Sequence, residues 1–110
     1  MPRVRRLAAD ELKRALGVHF VHFGGSAEVE EMASQSWASV TFSGERHRLG
    51  LRLHGEGAGA AADSFAAGLS ERQFALRGHI LADIALVSDD RGEDGSWARL
   101  TLEALTVESS

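Results

Sequence analysis

Between Trp37 and His54, apolar and polar residues alternate on both sides of Ser43-Gly44-Glu45-Arg46. A period of two belongs to strands, and a Gly-X centre suits a two-residue type II′ hairpin turn. Closing the turn on Ser43 and Arg46 predicts Phe42 opposite His47, Val40 opposite Leu49 and Ala38 opposite Leu51, so that the apolar residues of both strands share one face. The other face would carry Thr41 beside Arg48, Ser39 beside Gly50, and Trp37 beside Arg52 as a cation–π pair. From Phe74 onward the even positions Phe74, Leu76, Gly78, Ile80, Ala82, Ile84 and Leu86 are apolar or glycine, which predicts one long strand with a bend or bulge at Gly78. The turn-rich run 89–95 should connect it to a returning strand whose inward set is Ala98, Leu100, Leu102 and Ala104.

Between the two ribbons, Ala60 to Leu69 places Ala62, Phe65, Ala66 and Leu69 on one stripe at helical spacing, so this helix should lie on the sheet. Ahead of the ribbons, Asp10 to Leu16 has an acidic opening, cationic residues near its end and Gly17 just beyond, the pattern of a short helix. Val18 to Phe23 alternates as a strand or an ordered loop would, Gly24-Gly25-Ser26 breaks that pattern, and Ala27 to Ser34 reads as a polar connector or marginal helix. The expected fold is therefore α+β, with two layers: a mostly antiparallel four-stranded sheet in ββαββ order, one helix packed on it, and an N-terminal helical extension. Residues 1–110 form one domain in this reading, with 1–35 as the extension and 36–108 as the core. Val40, Leu49, Ile84 and Leu100 should mark the helix-facing side of the sheet.

Composition narrows the chemistry more than it changes the fold. The chain has 110 residues, 44% of them apolar and 25% charged, as in ordinary globular domains. It contains no cysteine, which excludes disulfides, thiolate nucleophiles and cysteine-ligated zinc and fits a reducing cytoplasm. The basic start Met1-Pro2-Arg3-Val4-Arg5-Arg6 resembles the opening of a secretory signal. However, Asp10, Glu11, Lys13 and Arg14 interrupt the apolar run that should follow, so no signal is expected. No stretch approaches the roughly 20 apolar residues of a membrane helix. A single lysine among many arginines, with abundant alanine and glycine, suggests a GC-rich bacterial genome. The net charge of −4 counts against nucleic acid unless the basic residues cluster.

The outward side of the long strand, Ala75, Arg77, His79, Leu81, Asp83, Ala85 and Val87, is too apolar to stand fully in water. It should be covered either by Val18 to Phe23 or, as favoured here, by a second copy in a homodimer through the face bearing Leu81, Asp83 and Ala85. Asp83 needs a partner if covered, and His79, Arg48, Arg52 and Arg99 are the candidates. His79 with Asp83 is the minimal unit of a general base and its orienter, although no motif supplies a nucleophile. His19, His22, His47, His54 and His79 are spaced to point to different faces, so neither a metal nor a cofactor is expected.

Arg46, Arg48, Arg52 and His54, with Trp37 and Trp97, outline a stacking platform for single-stranded nucleic acid. A salt-bridged face using Asp83 and Glu103 explains the same residues and suits an acidic chain better. The glycine-rich run 54–59 lacks the Lys-Ser/Thr of a phosphate loop and carries Glu56, so it reads as a connector. The functional expectation is an interaction or small-ligand-binding module acting as a homodimer, with Trp37, Arg48, Arg52 and Arg99 at the binding surface for a partner or small anionic ligand. Two alternatives stand beside it: a small enzyme using His79 and Asp83 with arginines holding an anionic substrate, and a nucleic-acid-binding module.

Overall fold

A computed structural model describes residues 7–109, so the expectation for the basic stretch 1–6 lies outside the described residues. The elements run α1 (Ala8–His19), β1 (Ser26–Ala38), β2 (Ser43–His54), α2 (Ala58–Ala67), β3 (His79–Arg91) and β4 (Trp97–Glu108). All four strands pair antiparallel in one sheet of order β1-β2-β4-β3. The expected two-layer α+β fold is present, but both helices, not one, pack against the sheet. Leu12, Leu16 and Phe20 from α1 and its end join Ala62, Phe65 and Leu69 in a single core against Leu49, Leu51, Leu53, Leu100 and Leu102. The rings of Phe20 and Phe65, 5.3 Å apart, join the two helical segments. The 35/36 division drawn from sequence falls inside β1.

α1 is longer than its sequence cues suggest and runs through Gly17 to His19, because burial of Leu12 and Leu16 outweighs one exposed glycine. Glu11 fastens it: its carboxylate accepts from the Arg77 backbone N–H at 2.7 Å and from the Arg14 guanidinium at 3.1 Å. Val18 to Phe23 is not a strand. It forms the last helical turn and a turn closed by Phe23 N–H on the Phe20 carbonyl.

The segment expected to be a polar connector, 27–34, is the first half of β1. Its exposed side carries charge, and Glu30 pairs with Arg52 on β2. Its other side offers only Ala27 and Val29 to the core, a signal too weak to stand out in the sequence.

The first hairpin turns four residues earlier than expected. Ala38 pairs with Ser43, so Ser39-Val40-Thr41-Phe42 forms the loop. Ser39 closes it: its Oγ accepts from the N–H groups of Phe42 at 3.0 Å and Thr41 at 3.3 Å, and its own N–H donates to the Phe42 carbonyl at 2.7 Å. Gly44 serves packing, since a Cβ there would stand 1.9 Å from the Thr106 carbonyl oxygen. The expected pairs of Phe42 with His47, Val40 with Leu49 and Ala38 with Leu51 do not form. Leu49 instead lies between Glu31 and Leu102. Leu49, Leu100 and Ile84 line the core as expected, but Val40 sits at the loop tip, fully exposed.

β3 begins at His79, after Gly78 turns the chain at φ +75°, and runs to Arg91. Phe74 and Leu76 therefore pack against the core from an irregular segment. Asp89, Asp90 and Arg91, expected in the connection, belong to the strand. Register shifts at Ala82 and Val87 break the period of two. Leu81 consequently pairs with Thr106 on the helix side, while Ile80 pairs with Val107 on the opposite side, the reverse of the expectation for both. At the end of β3, Arg91 donates to Asp63 at 2.8 Å and to the Gly59 carbonyl at 3.1 Å, tying the strand to α2.

Candidate functional site

The helices cover one side of the sheet, and among the described residues nothing covers the other. The register defines this open face row by row. Reading across β1, β2, β4 and β3, its rows are Glu28, Arg52, Arg99, Asp90; then Glu30, Gly50, Thr101, Ser88; then Ala33, Arg48, Glu103, Ala85; then Gln35, Arg46, Leu105, Asp83; then Trp37, Gly44, Val107, Ile80. Met32, at the bulge of β1, lies over Gly50, and the Trp37 ring lies over Gly44. The face is therefore striped: β1 and β3 contribute carboxylates, β2 contributes arginines, and β4 mixes both with apolar residues.

Two of the arginines are neutralised within the chain. Arg48 pairs with Glu103, and Arg52 pairs with Glu30. Arg46 and Asp83 have no ionic or hydrogen-bonded partner among the described residues. They occupy one row on either side of Leu105, two strand spacings apart, or about 10 Å. Together with Ala33, Gln35, Arg48 and Glu103 they line a shallow groove of about 300 Å³.

The register separates the proposed acid–base pair. His79 pairs with Glu108 and Asp83 with Leu105, three residues apart on a regular strand, so the two side chains lie on opposite faces. His79 borders a cleft of about 490 Å³ at the end of the sheet, with Leu7, Ser36, Glu45, Thr106 and Glu108. Trp37 pairs with Gly44 and Arg52 with Glu28, eight residues apart along β2, so the expected cation–π contact does not form. Arg99 stands between Arg52 and Asp90 in register. Arg46, Arg48, Arg52 and His54 do share the open side, since their spacing along β2 is even.

A polar relay that sequence reasoning missed crosses the helix side. Ser34 Oγ lies 2.8 Å from His47 Nδ1, and His47 Nε2 lies 2.9 Å from Thr106 Oγ1. Thr106 donates to the Glu45 carbonyl at a longer 3.4 Å, which assigns the imidazole proton to Nε2 and leaves Nδ1 to accept from Ser34. His47 is 2% exposed and Thr106 fully buried. Burial is the main influence on His47 and pushes its pKa down, with Glu45 and Glu31 opposing and His79 adding to the decrease. The relay satisfies a buried ring but leaves it out of reach of a substrate. Only the pairing of β1 with β2 brings Ser34 to His47, and no local motif announces it.

Among the described residues, no group of three or more His, Asp or Glu side chains could hold a metal ion. Among the same residues, no helix is long and apolar enough to cross a membrane. No protein-family model and no curated protein matches the chain. The class is thus given by architecture alone: a two-layer α+β domain with one sheet face that none of the described residues covers.

Proposed function

We propose that this chain is an interaction module that associates with a second copy of itself through the open sheet face. The observation that carries the reading is the uncovered face, on which Leu105, Val107, Ile80, Met32 and Ala85 are interleaved with opposed charges. Exposed apolar residues within such a patch favour a protein partner over bulk water. Both edge strands carry bulges, at Met32 in β1 and at Ala82 and Val87 in β3, and bulged edges disfavour lateral strand addition. That directs association to the face. The interface expected from sequence keeps Asp83 and Ala85 but exchanges Leu81, which packs against the core on the helix side, for Leu105.

The other readings have less support. Catalysis by His79 and Asp83 lacks a shared cavity. A nucleic acid would have to compete with Glu103 and Glu30 for Arg48 and Arg52. A small anion would meet Arg46 in a groove at the lower end of ligand-site volumes.

Sedimentation equilibrium from low to high micromolar concentration tests the proposal. The wild type should self-associate, and Leu105→Arg should sediment as a monomer with an unchanged circular dichroism spectrum. A wild-type chain that stays monomeric throughout that range contradicts the reading.

A further inference from the structure

Two sheet faces can be related by a two-fold axis that runs either across the strands or along them. An axis across the strands sets every strand against its own copy. Because that axis also reverses the rows, centring it on the face sets Arg48 opposite Arg48 and Glu103 opposite Glu103, like charges at the middle of the contact. An axis along the strands, midway between β2 and β4, leaves each row facing itself with its order reversed, so β2 opposes β4 and β1 opposes β3.

This second arrangement is complementary over four of the five rows. Arg48 meets the partner's Glu103, Trp37 meets the partner's Ile80, and Gln35 meets the partner's Asp83. In the same row Arg46 lies over Leu105 of the partner subunit, one strand spacing, about 4.8 Å, from that subunit's carboxylate at position 83. This is within the reach of an arginine side chain. Like charges oppose only in the outermost row, Glu28-Arg52-Arg99-Asp90. Sheets stacked face to face cross at about 30°, which displaces both end rows, this one included, more than the central rows.

We propose that the open face is self-complementary about a two-fold axis parallel to the strands, and that its specificity contact is Arg46 of each copy with Asp83 of the other. This rests on the self-association reading and deepens it. It supplies a role for the cation and the carboxylate of the groove that lack partners among the described residues of a single chain. The whole face, four strands wide and about 12 residues long, offers about 700 Å² per copy. That is slightly below the roughly 800 Å² per partner of a standard interface, and about 1,400 Å² in total is enough for a specific dimer.

Charge reversal provides the test. Arg46→Glu and Asp83→Arg should each weaken self-association by at least about tenfold, since each sets like charges together twice per dimer. An equimolar mixture of the two variants should associate to within about threefold of the wild type, because in the mixed dimer both contacts pair opposite charges. Both side chains are exposed, and circular dichroism checks that each variant is folded. If the wild type is monomeric, the self-association reading and this contact fail together. If the wild type associates but the single variants match it, or the mixture does not recover, the contact is overturned while self-association stands.

Discussion

His47 shows how one position can carry a pH dependence for the fold. Its imidazole is buried between the hydroxyls of Ser34 and Thr106, and burial lowers its pKa below the ordinary value near 6.5. The unfolded chain therefore binds the proton more readily than the folded one. Stability should be full above pH 6.5 and fall as pH drops from there toward the lower folded pKa. His19 contributes in the same sense, through burial and then the nearby Arg72. Glu11, held by the Arg77 N–H and by Arg14, has a lowered pKa, and the stability it adds is lost only at more acidic pH. Urea denaturation of His47→Gln should show a loss of about 1–3 kcal/mol at pH 7.5 from unsatisfied neighbours. It should also show a smaller decline between pH 7.5 and 5.5 than the wild type. An equal decline would remove His47 from the account.

Among the elements, the first hairpin depends on Ser39, whose hydroxyl satisfies two loop N–H groups. Ser39→Ala should cost about 1 kcal/mol in urea denaturation, and Val40→Ala, at a fully exposed tip, close to nothing. This is also where sequence and structure part. Gly44 invited a turn at Ser43–Arg46, yet the glycine is needed for its close approach to the Thr106 backbone, a contact formed only in the folded sheet. The run of even apolar positions in β3 was legible as a strand, but two bulges invert part of it. Alternation alone cannot reveal a bulge. β1 was missed in its first half because an edge strand open to solvent has no strong apolar face to betray it. By contrast β4 and the second half of β2, buried on one side and central in the sheet, follow their alternation closely. The candidate site was legible to the same degree. The basic stripe of β2 follows from even spacing, whereas the partnership of Arg46 with the row of Asp83 depends on a strand order and a bulge that no local pattern encodes.

The whole molecule is an elongated slab, 48 × 29 × 23 Å, with its apolar core on one side of the sheet and a charged, partly apolar face on the other. Antiparallel sheets tolerate water on one face when that face is polar. This one carries Met32 and Ile80 more than half exposed beside Leu105 and Val107. Stacking two slabs through it doubles the mass and thickens the particle along the sheet normal. A small-angle scattering series into the high micromolar range reads both quantities. Self-association through the open face requires the forward scattering per unit mass to rise toward twice the monomer value, and the radius of gyration to climb above 14.8 Å. Both changes should vanish in Leu105→Arg. A monomer-sized particle with a concentration-independent radius would contradict the account.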